Sequence, residues 1–177
     1  QTRNKIDKIR NYLFGSGFED PLTNAEQLSF LFFFYLFEFT DKNNINLNKN
    51  YKSIFNGNSK INNSQNQRNK KDYIANDFFR WSNWSNSLTG NELVIFLRDE
   101  VFPFYEAVTK KNNLNILADS RLQIDDPIVL KQTINLINQL ELQKSDEDTN
   151  GDLFEYVLKG LKGQGELGQF RTPRHII

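Results

Sequence analysis

The chain has 177 residues, a formal net charge of zero, no cysteine and one histidine. That length suits one domain with a sizeable core. The missing thiols exclude a disulfide scaffold or a zinc ribbon and suit a reducing cytoplasm, and the neutral balance leaves any affinity for nucleic acid to local clusters of charge.

Sixteen Phe point to a core rich in Phe and Leu. The most apolar run, residues 28–39, contains Glu38 and falls short of the roughly 20 residues a membrane-spanning helix needs. A soluble, cytoplasmic protein is expected. The chain starts at Gln1, has no Met, and opens with polar and charged residues unlike a signal peptide. A trimmed N-terminus is therefore expected.

In chain order, Ile6, Ile9 and Leu13 recur at helical spacing and the pattern stops at Gly15-Ser16-Gly17. Asp20-Pro21 marks a turn. Thr23 and Glu26 have capping-box spacing before a run in which Leu28, Leu31, Phe32, Tyr35, Leu36 and Phe39 share a broad face. With Phe33, Phe34 and Phe37 filling the rest, the run predicts a buried central helix, its length arguing against a buried strand.

Residues 42–80 change character. Eleven asparagines lie between Asn43 and Asn69, and eight Lys/Arg stand against Asp72 and Asp77, a local charge of +6. The composition predicts a long loop with local turns. Two readings stand: a track for DNA phosphates, with Lys60, Arg68, Lys70, Lys71 and Arg80 as candidate contacts, or a solvated insertion.

Trp81 and Trp84 follow as core wedges or as a clamp. Thr89 and Glu92 repeat the capping-box spacing before Leu93, Phe96, Leu97 and Val101, with a kink or restart expected at Phe102-Pro103. Arg98, Asp99 and Glu100 are expected on the solvated face.

Asp125-Asp126-Pro127 opens another helix whose buried face is expected from Ile128, Leu130, Ile134, Ile137 and Leu140. The paired carboxylates read as a cap and dipole partner, or as a general acid or metal ligand. After an acidic linker, Thr149 and Asp152 cap a last helix with Leu153, Val157, Leu158 and Leu161 inward and Phe154 and Tyr156 flanking. The fold class expected is all-α: a compact multi-helix domain over residues 1–163 with a long Asn/Lys-rich loop.

The inventory of chemistry is short. A Ser–His–acid triad would have to use His175, and no HExxH, phosphate-binding-loop or GxGxxG pattern occurs, so no catalytic residue is assigned. Near the end, Gly168 frees the backbone, Thr172 and Pro173 suit the opening of a helix, and Arg171 and Arg174 add positive charge. Such a loop can hold a carboxylate or phosphate, or be an ordinary loop-to-helix junction. The sequence stops one apolar pair into that helix, so a longer parent chain is expected.

GDLFEYVL at 151–158 and GELGQFRTPRHII at 165–177 resemble the junction in modification (M) subunits of type I restriction-modification systems, where a helical domain leads into a methyltransferase domain. Residues 8–38 resemble the family's opening two helices, and LRDEVFPFYEAV at 97–108 matches one branch; the Asn-rich loop is not covered.

The resemblance implies that residues 164–177 are the linker and first motif of an S-adenosylmethionine-dependent, adenine-specific DNA methyltransferase domain. It further implies that Gln169, Phe170, Arg171, Thr172, Pro173 and Arg174 contact the methionine portion of that cofactor. Arg171 departs from the Tyr or Phe of many members. The family's glycine-rich motif and its Asn-Pro-Pro-aromatic motif, which grips the flipped adenine, are absent, so this fragment alone is expected to be inactive. The implied partners are double-stranded DNA, the specificity (S) subunit, a second M subunit and, in the full complex, the restriction (R) subunit; no membrane is implied.

Overall fold

Helix α1 (Thr2–Gly15) buries Ile6, Ile9 and Leu13, three side chains that helical periodicity stacks on one stripe. The computed structural model describes residues 2–62 and 73–141 together with Leu153, Glu155 and Tyr156. The helix closes with Phe18 N–H donating to the Leu13 carbonyl at 3.0 Å around Gly17, whose φ of 107° is costly for any residue with a Cβ.

Helix α2 (Pro21–Leu47) is the axis of the fold. It starts one turn earlier than the predicted box at Thr23: the Asp20 carboxylate accepts from Thr23 N at 3.2 Å and Thr23 Oγ1 at 2.7 Å, with Pro21 in the first position. A carboxylate before proline fills the cap, so Thr23 serves as donor to it. Every residue from Gln27 to Phe37 is buried, confirming the central helix. Phe34 stacks on Tyr105 at 4.7 Å between centroids and meets Phe102 edge-on at 5.0 Å; Tyr35 meets Trp81 at 5.5 Å.

The expected loop from residue 42 begins later and holds more order. Thr40, Asp41 and Asn44 are buried, and α2 runs on to Leu47. Asp41 then folds the chain back, accepting from Tyr51 Oη and Ser53 Oγ at 2.7 Å and from Ile54 N at 3.2 Å. Phe55 thereby enters the core against Phe104 and Tyr105. Strands β1 (Asn58–Lys60) and β2 (Tyr73–Ala75) pair antiparallel, Ser59 opposite Ile74. Composition concealed these features because each rests on one or two polar side chains.

A 3-10 turn (Asn76–Phe79) leads into α3 (Trp81–Ser87). Arg80 offers this helix no side-chain cap; Glu38 of α2 does so instead, accepting from Ser82 N at 3.0 Å and Ser82 Oγ at 2.6 Å. Trp81 and Trp84 are core residues, Trp81 Nε1 donating to Asn138 Oδ1 at 2.7 Å. Lys131 Nζ donates to the Ser85 and Leu88 carbonyls at 2.6 and 3.0 Å, a cation at a helix C-terminus.

Helix α4 (Gly90–Phe96) passes through a π-helical turn (Leu97–Val101) into α5 (Phe102–Lys111), the restart expected at Pro103. Thr89 stands at the α4 cap position without a side-chain bond. Glu100 is not on a solvated face: it is 4% exposed, because the π turn rotates it inward.

Helix α6 (Pro127–Asn138) is capped by Asp126, whose Oδ1 accepts from Ile128 N at 2.9 Å and Val129 N at 3.4 Å. Leu130, Ile134 and Ile137 pack inward, and Leu140 is buried just beyond the helix. Ile128 instead is 78% exposed, since two helical steps from Leu130 carry it to the opposite side. The segment leading to α6 is held to α2 by Gln27, which donates to the Arg121 carbonyl and accepts from Gln123 N, both at 2.8 Å.

Leu153 is buried and Tyr156 meets Phe32 edge-on at 6.1 Å. The other expectations for the last helix, and the boundary at 163/164, lie outside the described residues. Among the described residues the fold is mostly helical with one two-stranded sheet, and no helix is long and apolar enough to cross a membrane.

Candidate nucleic-acid interface

The ribbon of β1 and β2 lies within the basic stretch 42–80. Its pleat turns alternate side chains to opposite faces. Ser59 and Ile74 are partly covered, whereas Asn58 and Lys60 on β1 and Tyr73 on β2 are exposed. Lys60 and Tyr73 are cross-strand partners, so an ammonium and a phenol ring share the outer face. Tyr73 is 64% exposed, and Phe78, in the turn that follows β2, is 56% exposed.

Both ends of the ribbon are fixed. On one side Asn76 donates through Nδ2 to the Asn56 carbonyl at 2.7 Å and through its backbone N to the Gly57 carbonyl at 2.9 Å, and its Oδ1 accepts from Ser59 Oγ. Gly57 turns the chain there with φ of 80°. On the other side, Asn62 N donates to the Glu100 carboxylate at 3.1 and 3.2 Å, and Asn62 Nδ2 reaches the Asp99 carbonyl at 3.3 Å. Glu100 thus accepts from the backbone amide of Asn62, two residues past β1, a role hidden in sequence because its partner lies 38 residues away.

Of the five basic residues singled out, the structure describes two. Lys60 is exposed on the outer face. Arg80 is committed to the scaffold: its Nε pairs with Asp77 Oδ1 at 2.6 Å and its guanidinium lies over the Phe55 ring at 4.6 Å. The same Arg80 hydrogen bond holds the Asp77 carboxyl below its ordinary value, assisted by Asn83. Arg68, Lys70 and Lys71, and the cofactor candidates Gln169, Phe170, Arg171, Thr172, Pro173 and Arg174, lie outside the described residues. The sequence reading missed Tyr73 and Phe78; the apolar-aromatic start of the YIA strand was the available signal.

A second surface feature is a cleft of about 540 Å³ between α1, the start of α4 and α6, lined by Tyr12, Gly90, Ile128, Lys131, Gln132 and Asn135. Lys131 in its lining is engaged by the α3 carbonyls. Among the described residues no group of three or more His, Cys, Asp or Glu is gathered to hold a metal ion.

Comparison with known proteins adds one relation. The chain is similar to the type I restriction enzyme EcoEI methylase subunit of Escherichia coli, 28% identical over 110 residues. The match covers 55% of this chain and 22% of the relative, so the chain spans about a fifth of that protein's length. No family model matches, and no solved structure matches.

Proposed function

We propose that this chain is the N-terminal helical domain of a type I restriction-modification M subunit, part of a DNA adenine-N6 methyltransferase, acting in DNA clamping and subunit assembly. The observation that carries this reading is the similarity to the EcoEI methylase subunit, and the junction motifs at 151–158 and 165–177 support it. The parent enzyme's methyl donor is S-adenosylmethionine, with residues 169–174 contributing to its site. The S subunit, a second M subunit and the R subunit are the protein partners, and the compartment is the cytoplasm. The isolated domain lacks the catalytic motifs and has no methyltransferase activity.

Titration of this chain with duplex DNA at several salt concentrations tests the clamping role. The expected result is binding at low salt whose logarithm falls linearly with the logarithm of salt, because Lys/Arg contacts release condensed counterions. Undetectable binding at low salt, or affinity that ignores salt, overturns direct contact. The second reading, a helical protein-interaction module without DNA contact, draws on the cleft beside α6 with Ile128 exposed at its edge. It predicts capture of the S or second M subunit with no DNA binding by this chain.

A further inference from the structure

Aromatic side chains in this domain are predominantly interior. Phe32, Phe34, Phe79, Trp81, Trp84 and Tyr105 are all less than 2% exposed. Tyr73 and Phe78 break that rule five residues apart on one short segment. Their backbone is not a fraying tip: β2 is paired to β1, Asn76 bonds back to Asn56 and Gly57, and neighbouring Phe79 is stacked on Phe104 at 4.1 Å.

We infer, on the reading that this domain meets DNA, that Tyr73 on the outer face of the ribbon and Phe78 in the turn that follows it stack on unpaired bases, with Lys60 beside Tyr73 contacting the phosphate backbone. The substrate class is single-stranded or locally opened DNA rather than undistorted duplex. Ring faces offered to solvent next to an ammonium are the two components of single-strand recognition: π surfaces accept any base, and the cation follows the backbone. A closed duplex hides base faces within its stack, so the same rings gain little from it. The charge selects nucleic acid over an apolar protein partner. The stretch 42–80 carries +6, and the acid nearest Phe78, Asp77, is already paired with Arg80.

The test uses the full chain and fluorescein-labelled oligonucleotides, comparing a single strand with the fully paired duplex of the same sequence. Folding of each variant is checked by circular dichroism. Tighter binding of the single strand is expected, with Tyr73→Ser and Phe78→Ser each weakening it about tenfold while duplex affinity changes less than about twofold. Tyr73→Trp, which keeps a ring, is expected to retain binding and to show indole emission quenched by the single strand beyond any change in the parent chain. Single-strand binding that is indifferent to both Ser variants, or an introduced indole whose emission the single strand leaves unquenched, overturns the stacking role, and salt-dependent duplex binding beside either result leaves the clamping reading standing. Absence of DNA binding under all conditions overturns both.

Discussion

Helix α2 and the described residues that follow it, 48–62 and 73–80, are held by opposite means. In α2, stability is spread over a run of buried aromatic and aliphatic side chains, each touching several others. In the following stretch it is concentrated in a few polar side chains: Asp41 gathers the return of the chain, Asn76 holds one end of the ribbon, and Glu100 holds the other. Burial is redundant and non-directional, so the helix tolerates small changes anywhere; a hydrogen-bonded hub is directional, so losing one acceptor releases a whole segment.

The largest effect should come from emptying the centre of α2. Phe34 is fully buried between Tyr105 and Phe102. Phe34→Ala is expected to cost about 3–5 kcal/mol, a large part of the roughly 5–15 kcal/mol that holds a domain of this size. Chemical denaturation should show a lower midpoint by every probe at once. A midpoint unchanged by this substitution would remove α2 from the centre of the fold.

Asp41→Ala should separate the two regions. It leaves the Tyr51 and Ser53 hydroxyls and the Ile54 amide without their acceptor, at about 1–3 kcal/mol for each buried group that water does not reach. The expected signature is local: hydrogen exchange accelerates at Ile54 and Phe55 while amides in the middle of α2 keep their protection. Equal acceleration in both would show one cooperative unit.

Alkali should act on the same hub. Burial first, then the hydrogen bond to Asp41, raise the Tyr51 phenol well above its ordinary value of 10.0. Tyr105, enclosed in the core with its Oη donating to the Phe79 carbonyl at 2.9 Å, is raised by burial. A group whose folded pKa is raised stabilises the fold fully below the unfolded value and loses that contribution as pH climbs toward the folded value. Stability should therefore decline from about pH 10 upward, and unfolding monitored by circular dichroism should coincide with a late step in tyrosinate absorbance. Simple titration of all six tyrosines near pH 10, with the fold intact, would contradict this.

Helix caps give a smaller effect, and they show where sequence was a good guide. Asp126→Ala removes the acceptor for two amides of α6 and should lower stability by about 1 kcal/mol, read as a shift in thermal midpoint. That cap was legible because its residue types and spacing are local. So were the aromatic helix, the two tryptophans and the restart at Pro103, each set by periodicity or by proline's missing donor. The extension of α2 to Leu47, the ribbon and the burial of Glu100 were not legible. They depend on pairings such as Asp41 with Ser53 and Asn62 with Glu100, in which asparagine and acid look solvent-facing until a distant partner is known. The candidate site divides the same way. Lys60, singled out from charge, stands exposed on β1; Arg80, singled out likewise, pairs with Asp77 and lies over Phe55; the exposed rings of Tyr73 and Phe78 carried no periodic signal.

The smallest effect on stability, and the sharpest division between holding the fold and using it, should come from Lys60→Gln. Its ammonium is on the exposed face of β1, and no ion pair to it is formed among the described residues. Thermal stability is expected to stay within about 0.5 kcal/mol of the parent chain. If Lys60 meets a phosphate, the same substitution removes one released counterion, and the slope of log affinity against log salt should fall by about 1. The two measurements together assign the residue. A stability loss comparable to that of Asp126→Ala would make Lys60 part of the ribbon's support. An unchanged fold with an unchanged salt slope would move the phosphate contact away from β1, onto other cations of the basic stretch.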